Sequence, residues 1–206
     1  EDKEEVEEIG INIGDRITFE REFIELREGK VTGKALDNRV GCAVAIESLK
    51  RFDEDYELAV VFSTQEEVGL KGAKTSAFKI NPDVALAVDV TFAGDVPGVE
   101  DKEADVGLGG GIEFDLVQSE GRGLLVPETV RDWLIQTAEE NDHEYTRGVM
   151  EGGATDAAGI YLTREGIPTG SIGVPLRNMH SSTEVVDLSD LETAVDFLED
   201  SFSSMK

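Results

Sequence analysis

Five side chains in this 206-residue sequence have the types and settings that metal-assisted hydrolysis needs. In the stretch VVFSTQEEVGLKG, an apolar run ends in two adjacent carboxylates, Glu66 and Glu67. Asp89 closes VALAVDV and is the only charge inside that run. His180 lies in IGVPLRNMHSSTE, on the loop expected after a strand ending near Val174. Asp37, in KALDNRVG, stands just before the first clear helix. Carboxylate and imidazole donors suit zinc, cobalt or manganese, and a carboxylate can bridge two ions a few ångströms apart. The adjacent glutamates can divide the work if the chain bends after Gln65, because neighbouring side chains on a strand point to opposite faces. One then holds metal, and the other stays free as a base beside activated water.

Each of these residues also has a simpler reading when taken alone. An acid at a strand end is commonly just solvated. Asp37 serves equally well as a helix cap, and His180 as an ordinary loop histidine. Asp89 resists that treatment, since an unpaired acid at the edge of a buried strand costs free energy. His143 follows a helix end, where a cation is favourable. Cys42 is expected as a small core residue on an apolar helix face. GLGGG at 107–111 lacks the Gly-Lys-Ser/Thr ending and the preceding strand of a phosphate loop, so a turn is expected there. HSSTE implies no separate acid–base partner, which sets a serine hydrolase aside. Arg177, near His180, fits either a preference for acidic substrates or plain surface solvation.

The elements that must bring the five together alternate between strand and helix, which predicts an α/β domain. Strands are expected in DRITFEREFIEL, GKVTGKA, Leu58–Thr64, Val84–Val90, GGGIEFDLVQ, HEYTRGVM and PTGSIGVP. Helices are expected in NRVGCAVAIESLKRF (Val40, Ala43, Val44 and Leu49 at helical spacing), after the double glutamate, in VPETVRDWLIQTAEEN and in TDAAGIYLTREG. The last helix starts at SDLE, where Ser189 caps and Glu192 reaches back; Leu191, Val195 and Leu198 then read as core. In open α/β sheets, ligands bind at the carboxyl ends of the strands. Such a topology can gather the acids and the imidazole from separate parts of the chain.

Composition narrows the setting. Hydrophobic residues make up 39%, a globular proportion. Forty-five acidic against 19 basic residues give a formal net charge of −26, which disfavours nucleic acid and anionic membranes as partners. The acids are spread along the whole chain. That pattern fits either an ordinary acidic protein kept soluble by self-repulsion or adaptation to a salt-rich cytoplasm in which screening removes the repulsion, and the scarcity of lysine and arginine favours the second. A single cysteine, no membrane-length apolar run and an acidic start lead to the expectation of a soluble cytoplasmic protein.

The segments GKALDNRVG, STQEEVGLKGA, DVALAVDVT, GGATDAAGI and RNMHSSTEVVDLSDLE occur in one characteristic order. From about Ile9 onward the sequence resembles the cocatalytic metallo-aminopeptidases of the tetrahedral (TET) family and their glutamyl-aminopeptidase relatives. The resemblance implies a three-layer α/β/α zinc-peptidase-like mixed sheet, lacking the family's N-terminal strands and most of an inserted β domain. Residues 1–33 would be the remnant of that insert and 34–206 the catalytic domain. It implies two divalent ions (zinc, or cobalt or manganese), with Asp37 bridging them. Glu67 and His180 would complete one position and Asp89 would ligate the other. Glu66 would be the general base, and Thr155 and Asp156 would line the site. Substrates would be peptides losing their N-terminal residue, and the full-length form a homo-oligomer of up to twelve subunits. The family's metal-binding histidine, in a His-x-Asp context, has no counterpart here, where only His143 and His180 exist. A noncatalytic remnant serving as a binding or assembly module is the competing reading, and another hydrolase on the same scaffold, such as a carboxypeptidase or deacylase, a third.

Overall fold

A computed structural model describes residues 2–99, 104–119 and 123–205. Its main sheet is built around β7 (Thr169–Leu176), whose eight residues are all buried, as a strand covered on both faces requires. β3 (Ala85–Phe92) runs parallel to β7 along one edge. β4 (Ile112–Gln118) pairs with β7 antiparallel on the other side. β4 also pairs with the short β5 (Leu124–Leu125) and, in parallel, with β6 (Tyr145–Met150). The expected mixed sheet is therefore present.

Three helices lie on one face: α2 (Leu36–Arg51), α4 (Glu128–Glu140) and α6 (Leu188–Ser204). Gly170 of β7 permits the approach of α4, because a Cβ there would meet Val130 and Leu134. α3 (Lys71–Ile80) and α5 (Asp156–Tyr161) pack together on the opposite face, which gives the three layers. The core between β7 and its helices is led by Phe114, Phe197, Ile172 and Leu134, each fully buried. A second, three-stranded sheet joins β1 (Ile24–Glu25), β2 (Lys30–Gly33) and β8 (Glu184–Asp187), and α1 (Lys3–Glu8) precedes it. No described helix is long and apolar enough to cross a membrane.

Several sequence expectations need correction. Leu58–Thr64 forms no ladder, although its composition is that of a strand. A strand needs a neighbour for its backbone groups, and no described segment pairs with it; Val61 and Phe62 stay exposed. Only Ile24–Glu25 of DRITFEREFIEL is paired, for the same reason. The cap of α6 is Asp187: its side chain accepts from the Ser189 N–H, and the Ser189 hydroxyl donates to it in turn. The buried stripe of α2 is Leu36, Val40, Gly41, Val44 and Ser48, while Ala43 and Leu49 are exposed and Cys42 is half-buried.

Candidate active site

Asp37 lies in the first turn of α2, where it and Asn38 leave helical geometry across a cis peptide bond. The capping role falls to Asn38. Its Oδ1 accepts from Gly41 N at 2.8 Å, and its Nδ2 donates to the Val88 carbonyl of β3 at 2.8 Å. The Asp37 side chain is left free of any capping duty, and its backbone N–H is held by Glu184 Oε2 at 3.1 Å. Gln65 adopts a left-handed backbone (φ 60°), which supplies the expected bend ahead of Glu66 and Glu67. His180 also has positive φ, in the loop after β7.

These departures from regular geometry converge on one cleft of about 1100 Å³, lined by Asp37, Glu66, Glu67, Asp89, Thr155 and His180 among others. His180 Nε2 lies 3.3 Å from Asp37 Oδ2 and 3.4 Å from Glu67 Oε2. One donor atom from each of these three falls within 4.8 Å of the others. Asp89 and Glu66 stand beside the trio rather than in it, close enough for their charges to act on it.

The electrostatics are those of crowded acids. Burial, then the neighbouring Asp156, Glu67 and Asp37, pushes the Glu66 carboxyl up to about 7. Burial and Glu67 raise Asp37 to about 6, against the pull of His180. Asp89 is raised well above its ordinary range, chiefly by burial, and its one described hydrogen bond comes from the Val90 N–H at 2.9 Å. Among the described residues no lysine or arginine forms an ion pair with Asp37, Glu66, Glu67 or Asp89. Oxygen and imidazole donors at this spacing, short of positive charge, fit a divalent cation.

Thr155 belongs to the cleft lining, whereas Asp156 lies behind it. Thr155 caps α5 and is buried; its Oγ1 accepts from Gln118 Nε2 at 2.8 Å and lies 3.2 Å from Ser171 Oγ. Asp156 is not part of the lining. Ser63 Oγ donates to its Oδ2 at 2.5 Å, while its buried Oδ1 has no partner. Burial raises its carboxyl above the usual range.

The remaining sequence candidates resolve elsewhere. Arg177 is clamped on Asp95, with Nε to Oδ1 at 2.7 Å, and does not reach the cleft. His143 Nε2 lies 2.7 Å from Asp200 Oδ2 on α6. The GLGGG turn uses its amides on an internal acid: Gly109 N and Gly111 N donate to Asp190 at 2.8 and 2.9 Å, which occupies the place a phosphate would need. Sequence reasoning missed Ser63, Asn38, Glu113 and Asp115. The last two were detectable: in IEFDL the acids alternate with Ile112 and Phe114, so both acids share one face of a strand whose other face is core.

Comparison with known proteins agrees with this architecture. The family model described as M42 glutamyl aminopeptidase matches residues 1–197. An aminopeptidase from the archaeon Desulfurococcus kamchatkensis superposes with a TM-score of 0.90 at 45% identity, covering 96% of this chain and 55% of that one. A Pyrococcus horikoshii TET1 peptidase, whose structure is described as able to assemble into a tetrahedron or a large octahedral shell, gives 0.74 at 32% identity, over 88% and 52%. The glutamyl aminopeptidase of Lactococcus lactis is 36% identical over 96% of this chain and 55% of its own length. The lysyl aminopeptidase of Pyrococcus furiosus is 31% identical over 94% and 54%. This chain thus spans about half the length of the relatives it matches, and it belongs to the M42 glutamyl aminopeptidase family.

Proposed function

We propose that this chain forms the catalytic α/β part of a metal-dependent aminopeptidase that removes the first residue of peptides. The observation that carries the reading is the convergence of Asp37, Glu67 and His180, with Glu66 beside them on the left-handed bend at Gln65. Asp37, Glu67 and His180 would hold one divalent ion, and Asp37 with Asp89 a second; zinc, cobalt or manganese all suit these donors. Bound there, the ions would polarise the scissile carbonyl and make nearby water more acidic. Glu66, left out of the donor trio, takes a proton from the water that attacks that carbonyl. It then passes the proton to the departing amine as the C–N bond breaks. The remaining acids of the cleft attract the substrate's free α-ammonium.

Around this site we read residues 1–33 as the remnant of an inserted small β domain and 34–206 as the catalytic domain. The −26 charge supports work in a salt-rich cytoplasm, and the assembling relative supports a homo-oligomer, up to a dodecamer, for the full-length form. A noncatalytic binding module is the second reading. It is favoured by one observation: among the described residues only Asp37, Glu67 and His180 converge as donors, with Asp89 outside the group, an arrangement that suits holding a single ion without turnover.

The test is hydrolysis of aminoacyl anilides in concentrated KCl with zinc or cobalt, beside their N-acetylated counterparts. Turnover confined to the free amines supports the aminopeptidase. Equal turnover of blocked substrates points to another hydrolase on this scaffold, and none at all to the binding module.

A further inference from the structure

Three acids of the cleft lining neither hold an ion nor move the proton in the reaction above, Asp105, Glu113 and Glu151, and of these Glu113 is the buried one. Its place is fixed by register. Asp89 of β3 and Glu113 of β4 are both paired with Gly173 of the intervening β7. Directly paired residues share a sheet face, so both acids project toward the cleft, separated by a residue with no side chain. Two strand spacings put their backbones about 10 Å apart. With a hydrogen bond at each end, an extended lysine or arginine side chain covers that interval once its own α-amino group lies beside the ion site, at the Asp89 end of the cleft.

The seat is built to hold a carboxylate. A Cβ on Gly148 would meet Glu113 Cδ and Oε1 at 2.5 Å, so any side chain there would move the carboxylate from its present position. A Cβ on Gly173 would meet Thr91 Cβ at 2.7 Å, so glycine again lets Thr91 lean across the strand. From there Thr91 Oγ1 donates to Glu113 Oε1 at 2.6 Å. Glu113 lines the cleft and is only 7% exposed, and no described lysine, arginine or histidine forms an ion pair with it. Asp115, two residues on and fully buried, accepts from Ser171 Oγ at 3.0 Å. Burial, then the neighbouring carboxylate of Glu113, pushes Asp115 up to about 8.

Among the described residues, the two basic side chains of the lining each have a partner of their own and neither pairs with Glu113. Arg147 donates to Tyr145 Oη at 3.0 Å and lies 3.6 Å from Glu139, while Lys74 Nζ donates to the Gly69 carbonyl at 3.4 Å.

We propose that Glu113 sets the side-chain preference of this cleft, selecting peptides whose first residue carries a cationic side chain, lysine or arginine. The inference rests on the aminopeptidase reading for the position of the α-amino group. Family membership leaves the preference open, since the relatives include both glutamyl and lysyl aminopeptidases.

The test separates binding from turnover. Lysinamide and norleucinamide, which differ in the terminal ammonium, are titrated calorimetrically into the whole chain with zinc present. Lysinamide is expected to bind about 10- to 100-fold more tightly, the worth of a hydrogen bond to a charged partner. Glu113→Gln should bring the ratio close to one with norleucinamide binding unchanged, and Gly148→Ala, which displaces the carboxylate, should reduce it. A wild-type ratio near one, no lysinamide binding, or a ratio that survives Glu113→Gln in a folded variant each overturns the proposal. Should the variants fail to fold, the wild-type ratio decides alone. Hydrolysis of leucyl anilide, measured in parallel, reports on the aminopeptidase reading: its absence with a lysine preference intact sinks that reading and leaves the role of Glu113 standing.

Discussion

Removing one acid from the cleft should make the metal-free protein more stable and the metal-loaded protein less so. Asp37 is the informative position, because its side chain is only 11% exposed and its carboxyl is raised from 3.8 to about 6. A carboxyl raised by folding contributes its full stability below the unfolded value, near 4, and loses it as pH rises through about 6. At pH 8 the whole cost is in place. The interval from 3.8 to about 6, at about 1.4 kcal/mol per tenfold change in proton affinity, corresponds to about 3 kcal/mol. Part of this is repulsion shared with Glu67 and screened by solvent, so about half, roughly 1.5 kcal/mol, is expected from a single substitution. For a chain of this length that is about 3–6 °C in Tm. Asp37→Asn should therefore melt higher than wild type by that amount at pH 8 with a chelator, with the gap closing near pH 4. Zinc at about 100 times its Kd adds about 2.7 kcal/mol to wild type, and the variant should lose most of that gain. Calorimetric melts at both pH values, with and without zinc, read all four numbers. A chelated variant less stable than wild type at pH 8 would show that the Asp37 charge is not a cost to the fold, and equal zinc gains in both proteins that Asp37 does not hold the ion.

Other expectations follow from single contacts. Leu134→Ala empties a fully buried position against Gly170 and should cost about 2–5 kcal/mol by chemical denaturation. Gly72→Ala would drive a Cβ into the Thr64 backbone at the start of α3 and should lower Tm measurably, whereas Gly98→Ala, with nothing nearby, should cost only its left-handed φ of 93°. Raising KCl from 0.1 M to 1 M shortens the screening length from about 10 Å to about 3 Å. With a net charge of −26, a salt-adapted protein should gain several degrees in Tm over that range; a flat or falling Tm would count against adaptation to high salt.

What could be read in advance depended on how local the cause was. Asp89 announced itself as the lone charge in an apolar strand, and the bend at Gln65 followed from needing two glutamates to face apart. The alternation of elements sufficed for the layered α/β fold. Leu58–Thr64 misled, because β-propensity states only that a segment can pair, while pairing itself belongs to whatever lies alongside. Ser189 and Asp187 are both good caps two residues apart, and the choice between them was made by Lys30, whose Nζ lies 2.9 Å from Asp187 Oδ2. The Glu113 seat combines Gly148, Gly173 and Thr91 from three strands, a coincidence of register that no local pattern carries.

In the proposed reaction Glu66 moves a proton and does not hold the ion. Zinc affinity and steady-state hydrolysis of an aminoacyl anilide, measured side by side on wild type and Glu66→Gln, test it most directly. Glu66→Gln should leave zinc binding nearly unchanged and lower kcat by about 100- to 10,000-fold, the range that a general base supplies. Undiminished turnover in the variant, or a loss of zinc affinity that matches the loss of turnover, would contradict it.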